Sequence, residues 1–216
     1  MKSALPLLFS LFLSFAATAD CTDDGEQALA GGNLKEAITI LEACVETEGR
    51  ENPRTWLLLG RANKEKGRRG AAISALDEAI ARADNAAVRA SAHFHRGELR
   101  AKRRDYQGAT EDFGRAIDAR PNFAAPYYAR ARVAHGGGEL DAALADYTRA
   151  IDLDPDNAHA YFYRAAIYRK RNLDHLAIAD YERAVEIDPN FVRAHANKTF
   201  TFLYPLLPVL IILMLG

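Results

Sequence analysis

The sequence has few of the cysteine residues that form disulfide frameworks or thiolate metal sites. Among 216 residues it has only 2 Cys and 1 Trp, and its formal net charge is −1. Two Cys are too few for a disulfide-framework miniprotein or for a four-thiolate zinc site. A charge near zero argues against a general nucleic-acid or acidic-membrane binder, and an apolar share of 49% argues against disorder. We therefore expect an ordinary folded body with no nucleic-acid partner.

The sequence also lacks the motifs of common enzyme families. It contains no HExxH zinc motif, no GxSxG nucleophile motif and no Gly-rich phosphate loop. His93 and His95 would point about 200° apart on a helix, so they cannot share a metal ion. These absences predict a protein that is not an enzyme and has no cofactor. The alternative, an envelope metal protein or enzyme that uses His93, His95 or His135, stays open.

The amino-terminal residues have the composition of a targeting segment. Residues 1–19 combine Lys2, an apolar stretch from Ala4 to Phe15 and the small-residue sequence Ala17-Thr18-Ala19. This order is typical of a signal peptide. We therefore expect an exported protein whose mature chain begins at Asp20, with the bacterial periplasm as its simplest location.

The carboxyl-terminal residues form an apolar tail. Residues 200–216 contain no charged side chain and include Pro205 and Pro208. As a helix they would reach about 25 Å, slightly less than a hydrocarbon core of about 30 Å. The first interpretation is a membrane anchor, which predicts membrane association through this tail. The alternatives are a segment that caps the fold or buries a partner, and a coding sequence that leaves its ancestral frame near Thr199.

A regular period of about 34 residues organises the rest of the chain. Pro121, Pro155 and Pro189 are evenly spaced at this period, and they lie in the similar segments ATEDFGRAIDARPNF, ALADYTRAIDLDPDN and AIADYERAVEIDPNF. Apolar residues in each half-period recur at i, i+3, i+4 and i+7, which is the helical period. No single pair of such helices closes a core, so stability must come from stacking neighbours.

This pattern resembles the tetratricopeptide repeat, W-x2-L-G-x2-Y followed by A-x3-F and A-x4-P. The resemblance covers residues 20–191 and implies an all-α fold, a right-handed α-solenoid of about five helix-turn-helix repeats. Residues 87–89 are three extra residues that should lengthen a helix or kink the stack. Residues 192–199 would begin a capping helix. The repeats are expected at about 18–51, 53–86, 90–123, 124–157 and 158–191.

Cys21 and Cys44 occupy positions of the first repeat that face each other in an antiparallel helix pair. Other repeats place a large residue and a small residue there, for example Tyr127 and Ala150. In an oxidising compartment we expect a disulfide, which for this loop size would stabilise the fold by about 3 kcal/mol. It would staple the outermost repeat, which has no neighbour on its far side.

Three arginine–aspartate pairs recur with the same spacing, in the same phase of three successive repeats. We expect each pair to join the two helices of its repeat as a structural ion pair, since partly buried pairs are costly to break singly. The pairs are Arg96–Asp112, Arg130–Asp146 and Arg164–Asp180.

The resemblance also implies a binding face. First helices line the concave side of tetratricopeptide arrays, where the family usually takes peptides, so a protein or peptide partner is expected there. Aromatic and Arg side chains on this face suit an extended peptide. Some family members clamp the carboxyl terminus of a chaperone and need Asn at one position of the repeat. Here that position is occupied by Arg61, Arg132 and Ala166, so such a clamp is disfavoured. The residues carried over onto the face are Leu57, Arg61, Phe94, Glu98, Tyr128, Arg132, His135, Phe162 and Arg169.

Charge is unevenly distributed along the chain. Residues 20–52 carry nine acids and two bases, whereas residues 53–107 carry thirteen bases and six acids. A basic edge at 64–104 could hold a polyanion such as a glycan or a lipid head group, although the helix dipole favours basic helix ends in any case. The sequence as a whole predicts a non-catalytic protein-binding scaffold of the cell envelope, with polyanion binding as the alternative. The basic edge comprises Lys64, Lys66, Arg68, Arg69, Arg100, Lys102, Arg103 and Arg104.

Overall fold

The computed structural model describes residues 20–47 and 49–191, and within these ranges it consists of ten α-helices and no strand. The predicted signal peptide, capping helix and apolar tail lie outside the described residues. Across the described residues, none of the helices has the length and apolar character needed to cross a bilayer. The helices are α1 Cys21–Ala30, α2 Leu34–Val45, α3 Pro53–Glu65, α4 Arg69–Arg82, α5 Ala86–Lys102, α6 Tyr106–Ala119, α7 Ala124–Gly137, α8 Leu140–Leu153, α9 Ala158–Lys170 and α10 Asp174–Ile187.

The ten helices pack as five successive pairs, and each pair contacts the next. This arrangement confirms the all-α fold of about five repeats. The longest helix is α5, with 17 residues, so the extra residues 87–89 lengthen this helix. Pro121, Pro155 and Pro189 each follow the end of a second helix by two residues, where a proline does not interrupt helical hydrogen bonds.

The hydrophobic core runs along the stack between first and second helices. Each second helix contributes one large side chain that is at most 1% exposed, and each first helix packs against it. The core therefore continues from repeat to repeat and has no single centre. The five side chains are Leu41, Leu76, Phe113, Tyr147 and Tyr181.

Small residues let the two helices of a repeat cross closely. A Cβ atom on Gly97 would lie 2.7 Å from the Phe113 ring, and one on Gly60 would lie 2.7 Å from Leu76. Ala131 holds the equivalent position in the fourth repeat and is fully buried. These positions allow the large core residue of the second helix to reach the first helix backbone.

The turn inside each repeat contains one residue with a left-handed backbone. The φ angles are 77° at Gly32, 80° at Gly67, 64° at Arg104, 84° at Gly138 and 58° at Asn172. Glycine adopts this conformation readily and asparagine tolerates it, whereas arginine does so at a cost. Arg104 is therefore the strained turn residue of the series.

Three consecutive glycines, Gly136, Gly137 and Gly138, lie at the end of the first helix of the fourth repeat. Helix α7 continues through Gly137, and only Gly138 leaves it, as a left-handed cap whose N–H donates to the carbonyls of Ala134 and His135. A left-handed glycine is a common end for a helix because it satisfies the last carbonyls.

The disulfide between Cys21 and Cys44 is formed, and it joins α1 to α2 with a Cα–Cα distance of 5.7 Å. Cys44 is 1% exposed. Beside the disulfide, the hydroxyls of Thr22 and Thr55 share a buried hydrogen bond of 2.7 Å that links the first two repeats. The predicted staple of the first repeat is thus confirmed.

The three predicted ion pairs are also confirmed, and each is bidentate. In every case Nε and Nη2 of the arginine donate to the two carboxylate oxygens of the aspartate on the second helix. The N–O distances are 2.9 and 2.6 Å for Arg96–Asp112, 2.7 and 2.9 Å for Arg130–Asp146, and 2.7 and 2.8 Å for Arg164–Asp180.

Candidate functional site

The first helices of the repeats form a continuous inner row. Helix α1 contacts α3, α3 contacts α5, and α5 contacts α7. In a curved stack the helices that approach one another line the concave side, which is the extended binding surface of repeat proteins. The side chains carried over by sequence resemblance come from α3, α5, α7 and α9 of this series.

A groove of about 1410 Å³ opens between the third and fourth repeats, across α5 to α8. Gly136 and Gly137 line it and add no side chain, so the space above the end of α7 stays open. Phe94 contacts Phe123 with ring centroids 5.3 Å apart, which gives the groove an aromatic wall. Four of the expected partner-binding residues line the groove: Phe94, Glu98, Tyr128 and Arg132.

Leu57 and Phe162 do not face open surface. Leu57 is 8% exposed and Phe162 is 5% exposed. They share a repeat phase with Phe94 and Tyr128, which are half-buried. Leu57 belongs to a cluster with Leu76 and Ala79, so in this structure it contributes to packing.

Glu98 belongs to a charged network between α3 and α5. Its Oε2 accepts from Lys64 Nζ at 2.6 Å and lies 3.1 Å from His95 Nδ1. Burial opposes ionisation of Glu98, but hydrogen bonds from His95 and Lys64 outweigh it and lower its pKa to about 2. Arg61 is half-buried beside the network. Burial lowers the pKa of His95, and the charges of Lys64 and Arg61 add to that shift. Glu98 is thus ionised and internally paired.

A cluster of aromatic rings surrounds Arg132 on α7, on the concave side of the stack. The Arg132 Cζ atom lies 5.9 Å from the Tyr128 ring centroid and 5.8 Å from that of Tyr163. Tyr147 stacks on Tyr163 with centroids 6.0 Å apart, and His135 meets both rings edge-on at 6.2 Å. Sequence reasoning found Tyr128, Arg132 and His135 but missed Tyr147 and Tyr163. The signal for the missed pair was the aromatic content of the last two repeats.

Arg169 is partly buried near the end of α9. It lies one repeat beyond the groove, because the residues that line the groove come from α5 to α8. The structure therefore groups Phe94, Glu98, Tyr128 and Arg132, adds His135 through its ring contacts, and leaves Arg169 apart from that group.

Within the part of the chain that the structure describes, the histidines form no cluster of metal ligands. His93 Nδ1 lies 2.9 Å from Asp112 Oδ1 in the core, and His95 belongs to the Glu98 network. Over residues 20–47 and 49–191, one group of ligand atoms lies within reach of a common ion, that of Asp20, Cys21 and Cys44. Its two sulfur atoms are joined in the disulfide and offer no thiolate.

The basic edge is smaller than the sequence suggested. Lys64 pairs with Glu98, and Arg100 Nη1 lies 3.0 Å from Asp112 Oδ2, so these two charges serve internal contacts. Arg68 lies 3.6 Å from Glu42. The exposed basic side chains at the two adjacent turns are Lys66, Arg68, Arg69, Lys102, Arg103 and Arg104.

Family comparison agrees with this architecture. Profiles described as tetratricopeptide repeat match residues 23–87, 57–125 and 158–191, and one described as TPR repeat matches residues 132–172. Together they match residues 23–125 and 132–191 and so include part of every helix pair. The chain belongs to the tetratricopeptide repeat family.

Solved structures with the same fold are similar along most of their length. MamA is 23% identical, with 78% of this chain and 96% of that chain covered and a TM-score of 0.66. YrrB, a TPR protein with an unusual peptide-binding site, is 18% identical, with 82% and 90% covered and a TM-score of 0.63. A thermophilic TPR protein of Thermus thermophilus, TTC0263, is 21% identical, with 85% and 97% covered and a TM-score of 0.58. Among curated proteins none matches.

Proposed function

We propose that the protein is a non-catalytic scaffold that binds a protein or peptide partner in the groove between the third and fourth repeats. The observation that carries this proposal is the groove itself, about 1410 Å³ in volume and lined by Phe94, Tyr128 and Arg132. Aromatic and Arg side chains dominate binding energy at protein interfaces. A peptide-binding site in YrrB, a protein of the same fold, is in line with this use.

The groove can be closed without disturbing the core. A Cβ atom on Gly136 meets no atom within 4 Å, and the same is true of Gly70 on α4. Gly136 lines the groove, whereas Gly70 does not. Gly136→Phe is therefore a blocking variant and Gly70→Phe is its matched control.

The test is crosslinking in cells that express the whole chain, followed by mass spectrometry of the proteins that copurify. We expect Gly136→Phe to lose the partners that the unmodified chain and Gly70→Phe both retain, by about 10-fold or more, since a bulky ring fills the hot-spot pocket. Equal recovery of every partner by all three chains would remove the groove as the binding site.

The cell envelope is the proposed location. The signal-peptide pattern of residues 1–19 and the Cys21–Cys44 disulfide support it, because disulfides persist in oxidising compartments. Fractionation of cells that express the intact chain, beside a chain stopped after Lys198, tests membrane association through residues 200–216. Sedimentation of only the intact chain with membranes supports an anchor, and two exported soluble forms would exclude it.

Polyanion binding is the second candidate, and the exposed turn residues Lys102, Arg103 and Arg104 favour it. Heparin is a suitable probe. Binding through this edge should weaken steeply with salt and should be lost in Arg103→Glu/Arg104→Glu, because exposed charges are screened over about 10 Å at 0.1 M salt. Heparin binding that ignores this double change would remove the candidate.

A further inference from the structure

Among the described residues Arg132 has no acidic partner, unlike Arg130 on the same helix and Arg164 on α9. Arg130 and Arg164 are each held by an aspartate of the same repeat. Arg132 is exposed at the groove, and within residues 20–47 and 49–191 no carboxylate forms an ion pair with it. A guanidinium that is fixed in place and not neutralised is a preferred partner for an anion.

The surroundings of Arg132 hold its side chain without neutralising it. The rings of Tyr128 and Tyr163 flank the guanidinium at 5.9 and 5.8 Å, which are distances typical of cation–π contact. Ala166 holds the equivalent position in the next repeat, so no long side chain occupies the space beside it. Arg132 donates a hydrogen bond to the Tyr128 hydroxyl, and its remaining N–H donors are left for a ligand.

A second positive charge, that of Lys170, acts on His135 in the ring cluster around Arg132. Burial lowers the pKa of His135, and the charge of Lys170 lowers it further. His135 in turn contacts the rings of Tyr147 and Tyr163. The Lys170 ammonium is exposed near the end of α9. The Lys170 charge therefore acts on His135 within the ring cluster, where a positive charge favours a negatively charged group.

The hydroxyl of Tyr147 is an unused donor beside the guanidinium. Tyr147 is 0% exposed, and its hydroxyl has no hydrogen-bond partner among the described residues. Burial raises the pKa of this phenol, and the hydroxyls of Tyr128 and Tyr163 and the charge of Arg132 act on it as well. It therefore stays protonated. A buried hydroxyl without a partner is unfavourable, and an acceptor at the cluster would satisfy it.

The chemistry of these groups selects one kind of ligand. A guanidinium fork pairs with a carboxylate through two parallel hydrogen bonds, and phenol hydroxyls donate to the same oxygens. We infer that Arg132, together with Tyr128, Tyr147 and Tyr163, forms a binding site for a carboxylate group of an extended peptide in the groove. This inference rests on the proposed function and names what its partner must carry.

The site can be tested with three peptide libraries of identical length. The first has a fixed central Glu and an amidated carboxyl terminus, and the second has Gln in place of that Glu. The third has the central Gln and an ionised carboxyl terminus. Fluorescence anisotropy of each labelled library is measured against the whole chain. We expect one carboxylate library to bind about 10-fold more tightly than the neutral one, since charge-assisted pairs are the strong ones.

Two substitutions assign that preference to the site. Arg132→Gln should remove it, and Tyr163→Phe, which keeps the ring but loses the hydroxyl, should reduce it a few-fold. Arg115→Gln is the matched control, because Arg115 is exposed on α6 and does not line the groove. It should leave the preference unchanged. Circular dichroism verifies that all variants are helical.

The outcomes separate this inference from the proposed function. Preference for the first library identifies an acidic side chain as the ligand, and preference for the third identifies a chain terminus. Equal binding of all three libraries, or equal losses in Arg132→Gln and Arg115→Gln, would overturn the carboxylate site. If Gly136→Phe still lost its partners in that case, the scaffold would stand and only its ligand chemistry would be wrong.

Discussion

At the scale of single residues, Asp112 shows how a buried charge is held. It is 0% exposed and is bound by Arg96, by Arg100 at 3.0 Å and by His93 at 2.9 Å. Burial opposes ionisation, yet hydrogen bonds from His93 and Arg96 and the arginine charges lower the pKa of Asp112 to about 2. The third repeat therefore encloses a carboxylate that stays ionised at all ordinary pH values.

Asp112→Asn should lower the free energy of unfolding by about 3 to 5 kcal/mol, because Arg96 and Arg100 lose their buried counter-charge and Arg96 keeps only the exposed Asp77. Urea unfolding followed by circular dichroism measures this. Asp146→Asn is the matched control, and it should cost less because that pair is more exposed, with side-chain exposures of 31% for Arg130 and 13% for Asp146. Equal losses in the two variants would contradict the role of burial.

Because of Asp112, the free energy of unfolding depends on pH in the acidic range. The folded pKa of Asp112 is about 2, below its ordinary value of 3.8, so the stabilisation is complete above that ordinary value and is lost as the pH falls towards 2. The loss should amount to roughly 2 kcal/mol. Unfolding titrations at pH 5 and pH 2.5 should show it in the unmodified chain, and a similar loss in Asp112→Asn would assign it to other groups.

Arg104 is a second residue whose effect on stability can be measured by a single substitution. Its φ of 64° is unfavourable for a side chain with a Cβ atom. Arg104→Gly should raise the free energy of unfolding by about 1 kcal/mol. Asn172→Gly, at the equivalent turn of the last repeat, should change it by only a few tenths, since asparagine tolerates this conformation. Thermal unfolding compares the two, and a destabilised Arg104→Gly chain would mean that the side chain itself holds the turn.

At the scale of helices, the crossing distance inside a repeat depends on Gly97. Gly97→Ala would bring a Cβ atom to 2.7 Å from the Phe113 ring, so the helices must separate. We expect a loss of about 1 to 3 kcal/mol. Urea unfolding of this variant should be compared with that of a second glycine in the same repeat.

Gly114→Ala provides that comparison, because its Cβ would meet only Arg130 Nη1 at 3.9 Å. Gly114 lies inside α6, where alanine is a better helix former, so this change should stabilise the fold by about 0.5 to 1 kcal/mol. Effects of the same sign in both variants would show that helix propensity, and not the crossing, decides the outcome.

The helices themselves could be predicted from the sequence because repetition fixes them. The spacing of Pro121, Pro155 and Pro189 sets the ends of second helices, and Gly32, Gly67 and Asn172 mark the turns that the structure forms at those positions. The three clear repeats set the period, and the two weaker repeats upstream are recognised because they keep the same spacing. Local signals and the global fold agree along the described chain.

It was harder to predict which side chains of each helix are buried and which partners they contact. Leu57 and Phe162 share a phase with Tyr128, yet the structure buries both of them in the core. Lys64 and Arg100 were expected at a basic edge, yet each reaches an acid on a different helix, Glu98 and Asp112. Long flexible side chains select their partners in three dimensions, and periodicity says nothing about that selection.

At the scale of the whole molecule, substantial helix contacts join only helices of the same or adjacent repeats. Stability is then approximately a sum of repeat and interface contributions. The cluster at Arg132 arises from this stacking, because Tyr163 comes from the repeat after Tyr128 and Tyr147. No single repeat contains the site, so the sequence of any one repeat could not have indicated it.

Removal of the disulfide tests how local the contributions are. Cys21→Ala/Cys44→Ala should lower stability by about 3 kcal/mol, since the two cysteines are separated by 23 residues. Because contacts link only adjacent repeats, the loss should be concentrated in α1 and α2. Native-state hydrogen exchange should show lower protection there and unchanged protection in α7 to α10. Uniform loss of protection along the chain would mean that the five repeats unfold as one unit.

Contacts between adjacent repeats alone also determine the order in which the chain can be built. A ribosome releases the amino-terminal repeat before the others, and each later repeat finds its neighbour already in place. Cys21 and Cys44 both lie in the first repeat, so in an exported chain the crosslink can close once that repeat reaches the oxidising compartment, before the helices of the groove arrive. The stack can therefore assemble repeat by repeat, starting from a first repeat whose two helices are already crosslinked.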